Sequence, residues 1–209
     1  MDFCFINGHP YFTTITGKLN YRTIIICRGE GRKKITKRLQ AIVVRNTKRD
    51  LQVNEYYSDN EFKKIEADLL PSTLHKQAAG ENEPMPDQNI TMIKDRTRSM
   101  VHLVPYRKMS LLMIDSIVGQ AQSMLNVFPS NTGIYSTMSA RNIIEGRPNL
   151  DYSTMSLMLG AYVQLFEGTK NTQHSRSVGA VALKQSNEKG GYYFMSLRTG
   201  RNIHGFIYT

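Results

Sequence analysis

The order of β-type and helical segments over the first half of the chain most constrains its fold. Short runs of β-branched and aromatic residues alternate with longer segments that repeat apolar residues at helical spacing. The dipeptide Asn7-Gly8 separates the first two runs and favours a hairpin turn, because both residues tolerate a positive φ. We predict strands at 3–6, 11–15, 23–27 and 52–57, helices at 32–46, 61–70 and 87–103, and a loop at 71–86.

The second half begins with one more helix and then changes to short strands. Apolar residues recur every three or four positions from Leu111 to Phe128, which predicts an amphipathic helix whose apolar stripe packs in the core. After Gly160, short apolar runs alternate with clusters of turn-forming residues, a pattern typical of a small antiparallel barrel or sheet. The predicted strands are 162–166, 178–183, 192–197 and 203–208.

Positive charge dominates the composition and is unevenly distributed. The 209 residues include 27 Lys and Arg against 17 Asp and Glu, which gives a formal net charge of +10. Residues 18–49 contain 11 Lys or Arg and one acid, whereas residues 54–87 contain 8 acids and 3 Lys. A basic segment beside an acidic one suits a metal-dependent nucleic-acid enzyme, since cations bind phosphates, but it is also compatible with ordinary surface charge.

Composition also excludes several classes of protein. The longest apolar stretch, 109–128, is interrupted by polar residues, so we expect no transmembrane helix and no membrane partner. Cys4, Cys27 and the five histidines lack zinc-binding spacing, and both cysteines are expected to be buried in strands. No signal-peptide pattern is present at the N-terminus, so we expect an intracellular protein.

The predicted elements and four segments carry a family resemblance. Three strands, a helix, a strand followed by Asp59, a helix and a later helix beginning near Asp87 form an order similar to that of the ribonuclease-H-like fold. Several segments resemble integrase regions of copia-type LTR retrotransposon polyproteins, and the resemblance extends along nearly the whole chain. These segments are 2–15, 57–62, 93–96 and 191–200.

The resemblance implies a fold, a reaction and a metal site. The fold would be α/β, with a ribonuclease-H-like mixed sheet and flanking helices at 1–150 and a small basic antiparallel β-barrel-like domain at 160–209. Integrases of this family cut and join DNA with two Mg²⁺ or Mn²⁺ ions held by an Asp, Asp, Glu triad. By position, Asp2 matches the first acid, Asp59 the second and Asp87 the third, so the three are the implied catalytic and metal-binding residues.

Two departures from the family pattern predict impaired activity. The third acid is Asp instead of Glu, and the shorter side chain loses one methylene of reach, where a misplacement of about 1 Å can cost roughly 100-fold in rate. Glu81 and Glu83 are alternative candidates for that ligand. The family's first Asp lies inside a strand, whereas only Met1 precedes Asp2, so we expect a truncated first strand and an impaired or fragmentary copy of a DDE-type polynucleotidyl transferase.

The implied partner is DNA, both the ends of the element and the target. We expect contacts from cationic residues, with Tyr192, Tyr193 and Phe194 as an aromatic surface of which at least one member points into the core. The candidate nucleic-acid-binding residues are Lys33, Lys34, Lys37, Arg38, Lys94, Arg198 and Arg201. A functional integrase would act in the nucleus, and the family's habit suggests a homo-oligomer.

Three functions remain open on the sequence alone. The first is an integrase that performs strand transfer, and the second is a non-catalytic remnant that still binds nucleic acid. The third is a scaffold that binds a protein partner through the helix at 111–128. Metal dependence of activity separates the first from the second, because binding through cations alone needs no metal.

Overall fold

The structure is a computed structural model of the chain. It describes residues 1–29, 32–76, 84–131, 133–146, 157–166, 173, 175–186, 191–206 and 208–209, with the backbone alone at 32–34. Glu81 and Glu83, the alternative ligands, lie outside the described residues, as do the side chains of Lys33 and Lys34.

Nine strands and four α-helices are present in the described part of the chain, together with a 3₁₀ helix at Asn60–Leu69. The strands are β1 Asp2–Ile6, β2 His9–Thr16, β3 Tyr21–Ile26, β4 Glu55–Ser58, β5 Thr73–Lys76, β6 Tyr162–Phe166, β7 Ser177–Gln185, β8 Tyr192–Ser196 and β9 Asn202–Gly205. The helices are α1 Arg32–Thr47, α2 Pro84–Leu103, α3 Leu111–Val127 and α4 Ala140–Glu145.

The sequence missed two of these elements. The predicted loop at 71–86 contains β5, whose four residues pair in parallel with β4. The short helix α4 was not predicted, although Ser139 caps it by accepting a hydrogen bond from the Asn142 N–H. Both elements are too short for a periodic pattern to build up, so neither gave a signal in the sequence.

Two compact units divide the described fold. Unit 1 comprises 1–94 and 122–149, and unit 2 comprises 95–121 and 150–209. The predicted domains at 1–150 and 160–209 run continuously along the chain, whereas both units are discontinuous. The division into a catalytic core and a basic domain stays a prediction.

Unit 1 contains an antiparallel sheet in the order β1-β2-β3. Asn7 and Gly8, with φ of 51° and 76°, connect β1 to β2 in a two-residue turn, which is tighter than the turn that the sequence suggested. Phe3, Phe12 and Phe62 pack together with ring centroids 5.1 to 5.6 Å apart. This aromatic cluster lies in the core between the sheet, α1 and the 3₁₀ helix.

Strand β4 belongs to a second, two-stranded parallel sheet with β5. The Met1 ammonium donates a hydrogen bond of 2.6 Å to the carbonyl oxygen of Tyr57, so the beginning of β1 lies beside the end of β4. The mixed α/β class is therefore confirmed. The described strands of unit 1 form two separate ladders, and the ribonuclease-H-like arrangement stays a prediction.

Unit 2 contains a four-stranded antiparallel sheet in the order β6-β7-β8-β9. Tyr208 bridges back to Leu165, and the Thr209 N–H donates to the Gln164 carbonyl, so the end of the chain pairs with the outer edge of β6. Gly205 permits this close approach, because a Cβ there would lie 2.5 Å from a methyl carbon of Leu165. The prediction of a small antiparallel sheet at the C-terminal end is confirmed.

Candidate acidic site and cationic surfaces

Asp2 is the most constrained of the three predicted acidic residues. It lies at the beginning of β1, opposite Thr13 of β2, and its side chain is half-buried. The Asp2 Oδ1 atom accepts a hydrogen bond of 2.6 Å from the Phe3 N–H, and the Thr13 hydroxyl donates to the Asp2 carbonyl at 3.1 Å. Backbone pairing and these two bonds fix the carboxylate at this end of the sheet.

Asp59 and Asp87 reach the same part of unit 1 from two other elements. Asp59 directly follows β4 and precedes the 3₁₀ helix, to which its side chain makes no capping hydrogen bond. Asp87 lies in the first turn of α2, where a negative charge interacts favourably with the helix dipole. Both side chains are exposed. The carboxylates are thus available to solvent and to a ligand.

Electrostatics connect the three acids. Burial raises the pKa of Asp2 above its ordinary value of 3.8, and repulsion from Asp59 and Asp87 raises that pKa further. The hydrogen bond from the Phe3 N–H and the Met1 ammonium act in the opposite direction. Acids distant in sequence therefore stand close enough in unit 1 for each to disfavour ionisation of Asp2.

This arrangement does not fit a metal ion. Among the described residues, no three His, Cys, Asp or Glu side chains lie close enough together to hold one. The Asp2 Oδ1 atom already accepts a hydrogen bond from the Phe3 N–H. A two-metal site needs ligands from several carboxylates converging on each ion, so the predicted metal-binding character is not supported.

Lys94 is close to β1 rather than exposed on an open surface. Its charge lowers the pKa of Cys4, but burial outweighs this effect and raises the Cys4 pKa to about 11. Cys27 is buried as well, and neither cysteine forms a disulfide bond. Cys4 is therefore protonated at neutral pH, as expected for a small apolar residue of the core.

The other predicted cationic residues lie at two places. Lys37 and Arg38 are exposed on α1 in unit 1, and Arg198 and Arg201 are exposed between β8 and β9 in unit 2. Exposed cations of this kind suit phosphate contacts. Whether they bind DNA stays a prediction.

Two of the three residues of the predicted aromatic surface on β8 are buried, which confirms the expectation that at least one points into the core and corrects the surface role of both. Tyr192 and Phe194 are buried in the core of the C-terminal sheet, and Tyr193 is half-buried against the opposite cluster. Exposed aromatic residues in the described part of this unit are Tyr162 and Phe166 on β6 and Phe206 after β9. The spacing of four between the two β6 residues could have placed them on one face, but the sequence does not reveal which face of the strand is covered.

The predicted apolar stripe at 111–128 is only partly buried. Val118 and Ala121 lie in the interior, whereas Phe128 is exposed, and the other stripe residues, Leu111, Ile114 and Leu125, are half-buried. The scaffold role of that helix stays a prediction. None of the helices in the described ranges has an apolar stretch long enough to cross a membrane.

Comparison with solved structures finds 56 similar chains. A chain in the cryo-EM structure of the simian T-cell lymphotropic virus intasome in complex with PP2A regulatory subunit B56 gamma is similar, with a TM-score of 0.48 and 10% identity. The similarity covers 99% of this chain and 74% of that chain. No protein-family model and no curated protein matches the sequence. A similarity at this level assigns neither a family nor an activity.

Proposed function

We propose that this chain is an integrase-like protein that binds DNA and whose strand-transfer site corresponds to Asp2, Asp59 and Asp87. The observation that carries the proposal is the placement of these acids at β1, the end of β4 and the first turn of α2. The Met1 ammonium bonds the Tyr57 carbonyl at 2.6 Å, which brings the beginning of β1 to the end of β4, and the charges of Asp59 and Asp87 both raise the pKa of Asp2. Repulsion between carboxylates destabilises a fold, and such arrangements concentrate at functional sites. The sequence resemblance supports the same three positions.

The cationic residues supply the binding part of the proposal. Lys37 and Arg38 in unit 1, and Arg198 and Arg201 in unit 2, are exposed side chains that can contact phosphates. The net charge of +10 favours association with a polyanion. With element ends and target DNA as partners, we expect a nuclear protein that works as a homo-oligomer.

The ribonuclease-H-like arrangement, the copia-type relationship and the use of Mg²⁺ or Mn²⁺ belong to the same proposal and rest on the sequence resemblance. As the described carboxylates stand, they do not form a metal-holding group. We therefore derive no metal-dependent step from their geometry. The same observation favours a second candidate function, a non-catalytic protein that binds nucleic acid through its cations.

A DNA nicking and strand-transfer assay with Mn²⁺ separates the two candidates. The native chain would be compared with Asp59→Asn, Asp87→Glu and the control Asp95→Asn, since Asp95 is exposed and pairs with Arg98 at 2.7 Å. A working strand-transfer site would give product with the native chain and the control, and none with Asp59→Asn.

Each outcome has a distinct meaning. Unchanged product in Asp59→Asn contradicts the assignment of the acids. Product that appears only in Asp87→Glu locates an impairment at the third acid. Absence of product from every chain, combined with salt-sensitive DNA binding without metal, supports the non-catalytic alternative.

A further inference from the structure

The sheet of unit 2 has one face that is only partly covered. Along β6 the buried Val163 and Leu165 alternate with exposed residues, so Tyr162, Gln164 and Phe166 share the opposite face. Pairing places Val181 and Gly179 of β7 on that same face, opposite Tyr162 and Gln164. The part of this face near Val181 packs against the hydrophobic cluster around Met113 and Ile117, whereas the part near Phe166 is exposed to solvent.

Tyr162 lies flat on this exposed region because Gly179 has no side chain. A Cβ at Gly179 would lie 3.1 Å from the Tyr162 hydroxyl and 3.3 Å from its Cε2 atom. The Gln164 amide donates a hydrogen bond to the same hydroxyl. The Tyr162 ring therefore packs on the backbone of Gly179 and its hydroxyl bonds Gln164, while 57% of the residue remains exposed.

A second aromatic ring and an aliphatic residue extend the surface. Phe166 is 51% exposed and lies four residues along the strand, about 13 Å from Tyr162 at ordinary strand rise. Leu197 is 54% exposed and its N–H donates to the Gly179 carbonyl at 2.9 Å. Tyr162, Phe166 and Leu197 around Gly179 are called the aromatic platform below.

Arginines stand at the same end of the sheet as the platform. Arg176 precedes Ser177, which pairs with Phe166. Arg198 follows Leu197, and the Arg201 carbonyl accepts a hydrogen bond from the Ser196 N–H. All three arginines are exposed. Residues 157–209 contain six Lys or Arg against two acids, Glu167 and Glu188, so this part of the chain carries a net positive charge.

We propose that the aromatic platform binds unpaired bases of single-stranded DNA, with Arg176, Arg198 and Arg201 contacting the phosphates. Bases stack on exposed aromatic rings irrespective of sequence, and alanine substitution of such a ring typically costs about 1–3 kcal/mol per base. Stacked bases inside a duplex cannot reach the rings, so the platform selects single strands. This inference rests on the proposed function, because it specifies the form of DNA that the chain binds.

Binding of labelled oligonucleotides to the full chain tests the inference. The probes are an oligothymidylate of about 12 nucleotides, an abasic strand of equal length and a duplex. This length is chosen because domains that bind single strands typically cover about 4–16 nucleotides. We expect Tyr162→Ala to weaken oligothymidylate binding by about tenfold, while binding to the abasic strand and the duplex changes less than about twofold. Gly179→Ala should weaken oligothymidylate binding by a smaller factor, because its methyl group shifts the Tyr162 ring by only a few tenths of an ångström.

Matched variants separate stacking from charge and from folding. Tyr162→Phe keeps the ring and should bind like the native chain, as should Tyr135→Ala, which removes an equally exposed tyrosine from unit 1. Arg198→Ala should weaken binding to all three probes. Circular dichroism of each variant checks that the fold is retained.

Other results would overturn the inference. If Tyr162→Ala and Gly179→Ala bind oligothymidylate like the native chain while Arg198→Ala weakens every probe, the proposed function stands and the stacking site does not. If Tyr162→Ala instead turns a dimer into a monomer with DNA binding unchanged, the platform is a contact between copies. If the native chain binds no probe, the inference and the DNA-binding part of the proposed function both fail.

Discussion

The Asp2 carboxyl is the residue at which stability and the proposed function conflict. It is half-buried, and it lies in the electrostatic field of Asp59 and Asp87. Water and counterions would stabilise the charge better than this environment does, which is why its pKa is raised. The Phe3 N–H compensates in part by donating to one carboxylate oxygen. A position chosen for stability alone would carry a neutral side chain.

We therefore predict that Asp2→Asn stabilises the fold at neutral pH. A raised folded pKa means that the native state loses stability as pH rises from 3.8, the ordinary value, through the folded value. The Asn side chain avoids this loss and can still accept the Phe3 hydrogen bond. Thermal unfolding should show a Tm about 2 °C higher at pH 7, with the difference vanishing below pH 3.8.

The control for Asp2 is Asp95→Asn, which removes an exposed acid paired with Arg98. It should leave Tm within about 1 °C of the native value at both pH values, since exposed ion pairs contribute little. A Tm of Asp2→Asn that is lower than native at pH 7 would show that the carboxylate is net stabilising there, contrary to the electrostatic account.

At the scale of elements, strand β3 shows how a sheet edge without a neighbouring strand satisfies its backbone hydrogen bonds. Arg22 lies on this edge, and its backbone N–H donates to the Asn126 Oδ1 atom at 2.9 Å. The Asn126 amide in turn donates to the Arg22 carbonyl at 2.8 Å, and Gln122 donates to the same carbonyl. One buried side chain of α3 therefore substitutes for a neighbouring strand.

We predict that Asn126→Ala lowers the free energy of unfolding by about 1–3 kcal/mol, because the buried Arg22 N–H loses its partner. Gln122→Ala should cost less than about 1 kcal/mol, since Asn126 still satisfies the Arg22 carbonyl. Urea denaturation of both variants measures the difference. An equal loss of unfolding free energy in the two variants would show that Asn126 does not take the place of a neighbouring strand.

The elements also show what local pattern can predict. Asn7-Gly8 specified the first hairpin because its conformational preference is local. Strand β5 was not predicted, because its four residues do not alternate between apolar and polar. Its hydrogen bonds go to β4, which lies before the 3₁₀ helix in the sequence. The sequence of such a short segment does not show which distant strand it pairs with.

At the scale of the whole molecule, the net charge bears on the proposed binding of DNA. The excess of ten positive charges predicts that DNA affinity falls steeply with salt, because each phosphate contact releases condensed counterions. Removing a cation that contacts phosphate should therefore reduce the slope of log affinity against log salt by about one.

We predict such a loss of slope for Lys37→Ala and for Arg38→Ala, measured with duplex DNA over a range of salt concentrations. Lys76→Ala is the matched control, since its ammonium pairs with Glu66 at 2.7 Å in the same unit. A slope unchanged in both test variants would exclude α1 from the DNA contact.

The sequence alone determined the mixed α/β class, the first hairpin, the helical and strand-rich halves and the excess of positive charge. These features follow from local conformational preference and from composition, and neither depends on how the chain packs. Only the tertiary structure decided that Tyr192 and Phe194 are buried while Tyr162 is exposed. It also decided that Asp2, Asp59 and Asp87 interact without forming a metal-holding group. Burial and distance depend on which segments pack together, and no local pattern encodes that choice.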